Sequence, residues 1–109
     1  MNTTLVKSGE YSVIIVEGRV DTTNAGEFEK AVLEVVESGT DKIILECSGL
    51  NYISSSGLRV FLIVHKRMIA KKGSLRLCSL QPGIKEIFDI SGFSSIFSIF
   101  PDQQTAESA

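Results

Sequence analysis

The sequence predicts a single α/β domain with a mixed β-sheet of about five strands and three main helices, in the order β-β-α-β-α-β-α-β. Two runs, Val13–Val16 and Ile43–Leu45, are continuously apolar, as is typical of strands covered on both faces. Segments whose apolar residues have helical spacing alternate with the strand-like runs. The chain has 109 residues, which is the length of one domain and leaves no room for a second.

The N-terminal half predicts a hairpin followed by a helix. Strands over Leu5–Ser8 and Tyr11–Glu17 flank the turn residues Gly9 and Glu10, and we expect the second strand to lie centrally in the sheet. Residues 18–24 lead into the first helix, which ends at Ser38-Gly39-Thr40. Its apolar residues keep near-helical spacing and predict the buried stripe Ala25, Phe28, Val32, Val35 and Val36.

The middle of the chain predicts a buried strand, a serine loop and the longest helix. The strand covers Lys42–Cys47, and residues 48–51 separate it from the loop. The second helix runs from about Ser56 to Lys71 and ends at Lys72-Gly73. Its predicted apolar stripe is Leu58, Phe61, Leu62, His65 and Ile69.

The last third predicts a strand, a short helix and a final strand. Ser74–Cys78 alternates as a strand does, and Pro82 suits the first turn of a third helix that closes at Ser91-Gly92. A last strand falls within Phe93–Phe100. Residues 101–109 are polar, so we expect a frayed tail.

Composition limits the classes of partner. The net charge of −2 and the isoelectric point near 5.4 give no basic field of the kind that dominates nucleic-acid binding. No apolar run reaches the roughly 18 residues of a membrane span, so we expect no membrane contact and a cytoplasmic location. Cys47 and Cys78 fit that compartment as small buried thiols, and nothing predicts a disulfide, a metal site or a cofactor.

The serine loop is the most informative segment. Ser54, Ser55 and Ser56 are good N-cap formers, and Gly57 tolerates a tight backbone, so the stretch predicts an exposed hydroxyl at a helix start. A phosphate added there would face backbone N–H donors and the positive end of the helix dipole.

Three segments together carry a resemblance to a known family. They are Gly-Arg-Val-Asp at 18–21, Tyr-Ile-Ser-Ser-Ser-Gly-Leu-Arg at 52–59, and Gly-Phe at 92–93. From about Leu5 to Phe100 the chain resembles the STAS domain (sulfate transporter and anti-sigma factor antagonist). More narrowly, it is similar to the bacterial anti-sigma factor antagonists, which are regulators and not enzymes.

The resemblance implies a partner and a modification site. In that family a small cytoplasmic protein binds an anti-sigma factor that is also a serine kinase, the kinase phosphorylates a serine at the start of the second helix, and a phosphatase reverses this. The family's site is commonly Asp-Ser-Ser-Gly, with the first serine as acceptor. Laid onto this sequence, Ser54 stands at the acidic position and Ser55 at the acceptor position, while Ser54 and Ser56 become minor acceptor candidates.

The resemblance also implies that the loop after the second strand lies beside the serine loop and shares the partner surface. The predicted partner-binding residues are Asp21, Thr22, Ser54, Ser56, Gly57 and Arg59. Two alternatives stay open. One is a non-switching STAS module that assembles a signalling scaffold or senses a small ligand. The other is a serine-dependent enzyme, which is disfavoured because the serine lacks a Gly-x-Ser-x-Gly elbow.

Overall fold

Five strands lie side by side in one mixed sheet. The computed structural model describes residues 1–109, with strands β1 (Asn2–Ser8), β2 (Tyr11–Val20), β3 (Lys42–Ile53), β4 (Ser74–Cys78) and β5 (Ser98–Phe100). Their order in the sheet is their order in the chain, and β1 is antiparallel to β2 while the other neighbours are parallel. The predicted α/β class, the mixed sheet and the order of elements are confirmed. The middle strand is β3, so β2 is internal but not central.

Helices connect the parallel strands. They are α1 (Ala25–Glu37), α2 (Ser55–Ala70), α3 (Pro82–Ile90) and α4 (Gln103–Ser108), with a 3₁₀ turn at Phe93–Ser95. The predicted last strand therefore occupies only the final three residues of Phe93–Phe100. None of the helices combines the length and apolar character that crossing a bilayer requires.

One aromatic side chain fixes α2 between its neighbours. Phe61 is fully buried, and its ring centroid lies 5.6 Å from that of Phe28 on α1 and 5.5 Å from that of Phe88 on α3. These three rings belong to the main core, where α1, α2 and α3 cover one face of the sheet. Because α2 is held from both sides, the position of its first residue, Ser55, is held as well.

The buried face of α2 differs from the predicted stripe. The helix buries Gly57, Val60, Phe61, Val64 and Met68. Ile69, which we predicted on the apolar stripe, is 60% exposed. The sequence offers apolar residues on two adjoining faces, and the packing of Gly57 against the sheet at the helix start selects between them.

Strands β2 and β3 both run further than their apolar patterns predicted. Residues 48–51, expected as a separator, are part of β3, and β2 continues past Glu17 to Val20. The ladder continues through two irregularities, with Glu17 opposite Gly49 between them and Val20 opposite Ile53 after the second. The sheet extends to the serine loop because β2 and β3 pair with each other over these residues. The apolar pattern of each strand does not reveal this pairing.

The C-terminal residues form a helix, so the predicted frayed tail is wrong. The Asp102 carboxylate accepts from the main-chain N–H of Thr105 at 2.8 Å and caps α4. Ala106 is fully buried, and Arg76 donates to its carbonyl oxygen at 2.5 Å. On the second face of the sheet, α4 packs on apolar side chains and shields them from water. These side chains are Tyr11, Val13, Ile44 and Cys78.

Both cysteines are buried and unpaired, as predicted. Cys47 belongs to the core under α1, α2 and α3, whereas Cys78 belongs to the smaller core under α4. Burial raises the pKa of Cys47 well above its usual value and raises that of Cys78 to about 11. Both thiols are therefore held in the protonated, unreactive form at neutral pH.

Candidate functional site

The serine loop begins where β3 ends. The main-chain N–H of Ser54 donates to the carbonyl oxygen of Val20 at 2.9 Å, which joins the ends of β3 and β2. Ser54 has an extended backbone, and its Oγ accepts from the N–H of Gly57 at 3.2 Å. Ser54 is thus the N-cap of α2, and Ser55 is the first helical residue.

The three serines differ in how accessible their hydroxyls are. Ser55 is exposed at the surface of the first turn. Ser54 is half-buried and its oxygen is engaged as the cap. Ser56 is half-buried and faces a groove between α1 and α2. An enzyme that modifies a hydroxyl therefore meets Ser55 first.

Gly57 sets how closely α2 approaches the sheet. It is buried, and a Cβ built on it would lie 2.7 Å from Cγ1 of Ile53 and 2.9 Å from Cγ1 of Val20. Real side chains do not approach so closely, so only glycine lets the helix start rest on the ends of β2 and β3. Gly57 was predicted at the partner surface, and its burial gives it the role of positioning Ser55.

The loop after β2 is held by the carboxylate of Asp21. Oδ1 accepts from the N–H of Thr23 at 3.0 Å and from its hydroxyl at 2.6 Å, while Oδ2 lies 3.9 Å from Nε of Arg19. Chiefly through the hydrogen bond from the Thr23 hydroxyl, the pKa of Asp21 is lowered from its ordinary value. The carboxylate is therefore charged at neutral pH and presented at the same end of the sheet as Ser55.

A groove between the first turns of α1 and α2 brings the two loops together. We call it the α1–α2 groove, and its lining includes Thr22, Gly26, Glu29, Ser56 and Arg59. Thr22 and Ser56 thus lie on one surface, as the resemblance implied. Glu29 and Arg59 bring opposite charges to it without forming an ion pair with each other or with another residue.

Sequence reasoning missed a stacked pair beside the loop. The guanidinium of Arg19 lies 4.1 Å from the ring centroid of Tyr52, and the two residues are opposite each other in the β2–β3 ladder. Tyr52 is 41% exposed although it is large and aromatic. Exposed aromatics and arginines are enriched at interfaces, so this pair extends the candidate surface. The signal in the sequence was the position of Tyr52, a large aromatic residue just before the three serines of the loop.

The only histidine does not reach the serines. His65 lies ten residues after Ser55 on the same helix, which corresponds to about 15 Å along the axis. Its ring packs against that of Phe97, with centroids 5.0 Å apart. A nucleophile and its base must come within hydrogen-bond reach, and these two side chains do not.

The comparisons with known proteins agree with this geometry. The family model described as the STAS domain matches residues 2–106. This chain belongs to the STAS domain family. The match covers every element that carries the candidate site, from the strand ends to the first turn of α2.

Within that family the similar proteins are anti-sigma factor antagonists. The chain is 37% identical over 109 residues to BtrV of Bordetella bronchiseptica, whose name assigns it to the anti-sigma factor antagonists, covering 100% of this chain and 94% of BtrV. It is 30% identical over 96 residues to the anti-sigma-B factor antagonist of Bacillus subtilis, covering 86% of each chain. These relatives are named as regulators and not as enzymes.

Solved structures establish the fold independently. The anti-sigma factor antagonist SpoIIAA in its unphosphorylated form superposes with a TM-score of 0.81 at 20% identity, over 96% of this chain and 92% of SpoIIAA. The phosphorylated form of Bacillus SpoIIAA gives a TM-score of 0.75, also at 20% identity, over 98% and 97% of the two chains. At this identity the likeness concerns the fold alone.

Proposed function

We propose that this protein is a phosphorylation-switched anti-sigma factor antagonist. It binds an anti-sigma factor that is also a serine kinase, loses that binding when Ser55 is phosphorylated, and recovers it when a serine phosphatase removes the phosphate. The observation that carries the proposal is the exposed hydroxyl of Ser55 at the first residue of α2, in a chain whose relatives are named antagonists.

We prefer Ser55 to Ser54 and Ser56 as the phosphate acceptor because the hydroxyls of the other two serines are less accessible. Phosphorylation of Ser54 would replace the hydroxyl that accepts from the N–H of Gly57 with a bulkier phosphate ester at a half-buried position. Phosphorylation of Ser56 would put the charge into the α1–α2 groove, where Glu29 also lies. Ser55 can accept a phosphate without either change, and SpoIIAA, which shares the fold, is known in a phosphorylated form.

The partner surface we propose surrounds Ser55. It combines the β2–α1 loop, with Asp21 and Thr22, and the start of α2, with Ser54, Ser56 and Arg59, while the buried Gly57 holds that helix start in place. The support is geometric: Val20 is hydrogen-bonded to Ser54, and Thr22, Ser56 and Arg59 line one groove. A partner that contacts the hydroxyl of Ser55 must then cover this surface.

Charge accounts for the switch. A phosphate adds about −1.5 to −2 charges at neutral pH. The first turn of a helix accommodates that charge, so the fold survives. A partner interface that excludes water does not accommodate it, and a thousandfold loss of affinity requires only about 4 kcal/mol. Desolvation of a phosphate in such an interface costs several kcal/mol, which is enough for an effect of that size.

Other functional classes receive less support. A net charge of −2 does not favour nucleic acid, and we propose neither a nucleic-acid nor a membrane partner. Two unpaired buried cysteines are consistent with action in the cytoplasm. The distance between His65 and Ser55 argues against a serine-dependent enzyme, which leaves the non-switching scaffold as the alternative to be tested.

The test is phosphorylation by the candidate partner. The purified protein is incubated with ATP and the anti-sigma kinase encoded near its gene, and intact mass is recorded. We expect a gain of one phosphate in the wild type and in Ser56→Ala, and none in Ser55→Ala. A partner that binds the chain but adds no phosphate would favour the non-switching scaffold as the function. A gain of phosphate that persists in Ser55→Ala would show that the acceptor is another residue.

A further inference from the structure

Arg59 stands one helical turn after Ser55 and has no ionic partner in the protein. Ser55 is the first residue of α2 and Arg59 is the fifth. Residues four apart on a helix share a face, with Cβ atoms about 5–6 Å apart, and an acidic group placed before a basic one is the favourable order. A phosphate on Ser55 and the guanidinium of Arg59 are therefore within reach of each other.

The other cations in the body of α2 are differently placed. Arg67 donates to a carboxylate oxygen of Glu37 at 3.0 Å, so its charge is already paired. Lys66 is exposed, but it lies eleven residues after Ser55, about 16 Å along the helix axis. Arg59 is thus the one cation of this helix that combines an unpaired charge with proximity to Ser55.

The anionic groups around the site increase the need for such a cation. Glu29 of α1 lines the same groove as Arg59, and the Asp21 carboxylate lies in the neighbouring loop, engaged by Thr23. Each has the same sign of charge as a phosphate on Ser55, although Glu29 shares its groove with Ser56 and not with Ser55. Arg59 lies on the wall of the groove opposite α1, on the helix that carries the acceptor.

We propose that Arg59 is the intramolecular partner of the phosphate on Ser55, a role that rests on the proposed phosphorylation of that serine. A guanidinium offers two parallel N–H donors that match phosphate oxygens. Binding to Arg59 holds the phosphate against α2, on the surface that the partner covers, instead of letting it turn away into solvent. The phosphorylated state is then unable to relieve its clash with the partner by rotating the side chain.

The test places phosphoserine at position 55 during translation and follows the second ionisation of the phosphate by phosphorus NMR. A nearby guanidinium favours the dianion and lowers the pKa of the phosphate. We expect this ionisation about 0.5 pH units higher in Arg59→Gln than in the wild type. Lys66→Gln, which removes the same charge further along the helix, should titrate as the wild type does, and Arg59→Lys should fall between.

Equal titration of the wild type and Arg59→Gln would overturn the proposal. Equal shifts of the phosphate ionisation in Arg59→Gln and Lys66→Gln would also overturn it. Such a result would mean that the overall charge of the protein, and not a specific contact with Arg59, sets the pKa of the phosphate. The phosphoserine does not depend on any kinase, so the result is separate from the proposed function. A chain that no kinase phosphorylates could still show the Arg59 contact, and a chain that is phosphorylated could lack it.

Discussion

The main-chain N–H of Ser54 donates to the carbonyl oxygen of Val20, and this single bond joins the exits of two neighbouring parallel strands. It is the last link of the β2–β3 ladder before α2 begins. Because the carboxyl ends of parallel strands share one edge of the sheet, the loops that leave them are neighbours. Thr22 and Ser56 line one groove for this reason.

We predict that Gly57→Ala destabilises the domain. Its Cβ would lie 2.7 Å from Ile53 and 2.9 Å from Val20, both of which are buried in the sheet. Overpacking of this kind costs about 1–3 kcal/mol. Urea denaturation measures the free energy of unfolding. The matched control is Gly26→Ala, whose Cβ would meet nothing within 4 Å and which should change stability by less than about 1 kcal/mol. Equal losses in both variants would contradict the proposed close approach.

We predict that Ser54 acts as a cap that an acid can replace. Ser54→Ala removes the oxygen that accepts from the N–H of Gly57, and the loss of a cap costs about 0.5–2 kcal/mol. Ser54→Asp keeps an acceptor and adds a negative charge at the helix start, so it should be at least as stable as the wild type. Thermal unfolding of the three proteins checks this. A loss in Ser54→Asp equal to that in Ser54→Ala would show that an acid cannot replace the serine, and an unchanged stability of Ser54→Ala would show that the cap is unimportant.

We predict that a charge at Ser55 weakens partner binding without harming the fold. Ser55→Asp places a carboxylate near the helix N-terminus, where it typically gains about 0.3–1 kcal/mol, so its melting temperature should not fall. Ser55→Ala should bind the partner persistently in the presence of ATP, whereas Ser55→Asp should bind weakly. Titration calorimetry against the purified partner measures both. Equal affinities for all three proteins would remove the switch and favour the passive scaffold.

The sequence contains enough local information for most of the elements and for the serine loop at the start of α2. Val13–Val16 and Ile43–Leu45 are apolar without interruption because both faces of β2 and β3 are covered, by α1–α3 on one side and partly by α4 on the other. The serine loop is likewise a local signal, since capping depends on residues three apart. Such patterns can be recognised without knowledge of the distant chain.

What the sequence could not provide depends on contacts between distant residues. Residues 48–51 look like a loop until they are paired with β2, and Ala106 looks like part of a polar tail until Arg76 binds its carbonyl oxygen. The stacking of Arg19 on Tyr52 joins residues that are adjacent only through the register of the ladder. Which face of α2 is buried also depends on a contact between distant residues, that of Gly57 with Val20 and Ile53.

We predict that Asp21 contributes stability that is lost in acid. Its pKa in the folded protein is lowered from the ordinary value of 3.8, so folding favours the charged form. The contribution is fully present above the unfolded pKa and is lost as the pH falls through the lower folded pKa. The stability difference between the wild type and Asp21→Asn should therefore shrink as the pH falls below about 4. Denaturation at several pH values measures it, and a difference that is constant with pH would contradict the lowered pKa.

We predict that α4 shields the thiol of Cys78 and not that of Cys47. Ala106 is fully buried in the same small core as Cys78, whereas Cys47 lies under the helices of the opposite face. Ala106→Asp would bury a charge there and detach α4. A thiol reagent at mildly alkaline pH should then label one cysteine that the wild type protects. Gln104→Asp adds the same charge at an exposed position of the helix and should leave both thiols protected. Adding Cys78→Ser to Ala106→Asp should abolish the labelling, and labelling that persists would mean that detaching α4 opens the main core as well.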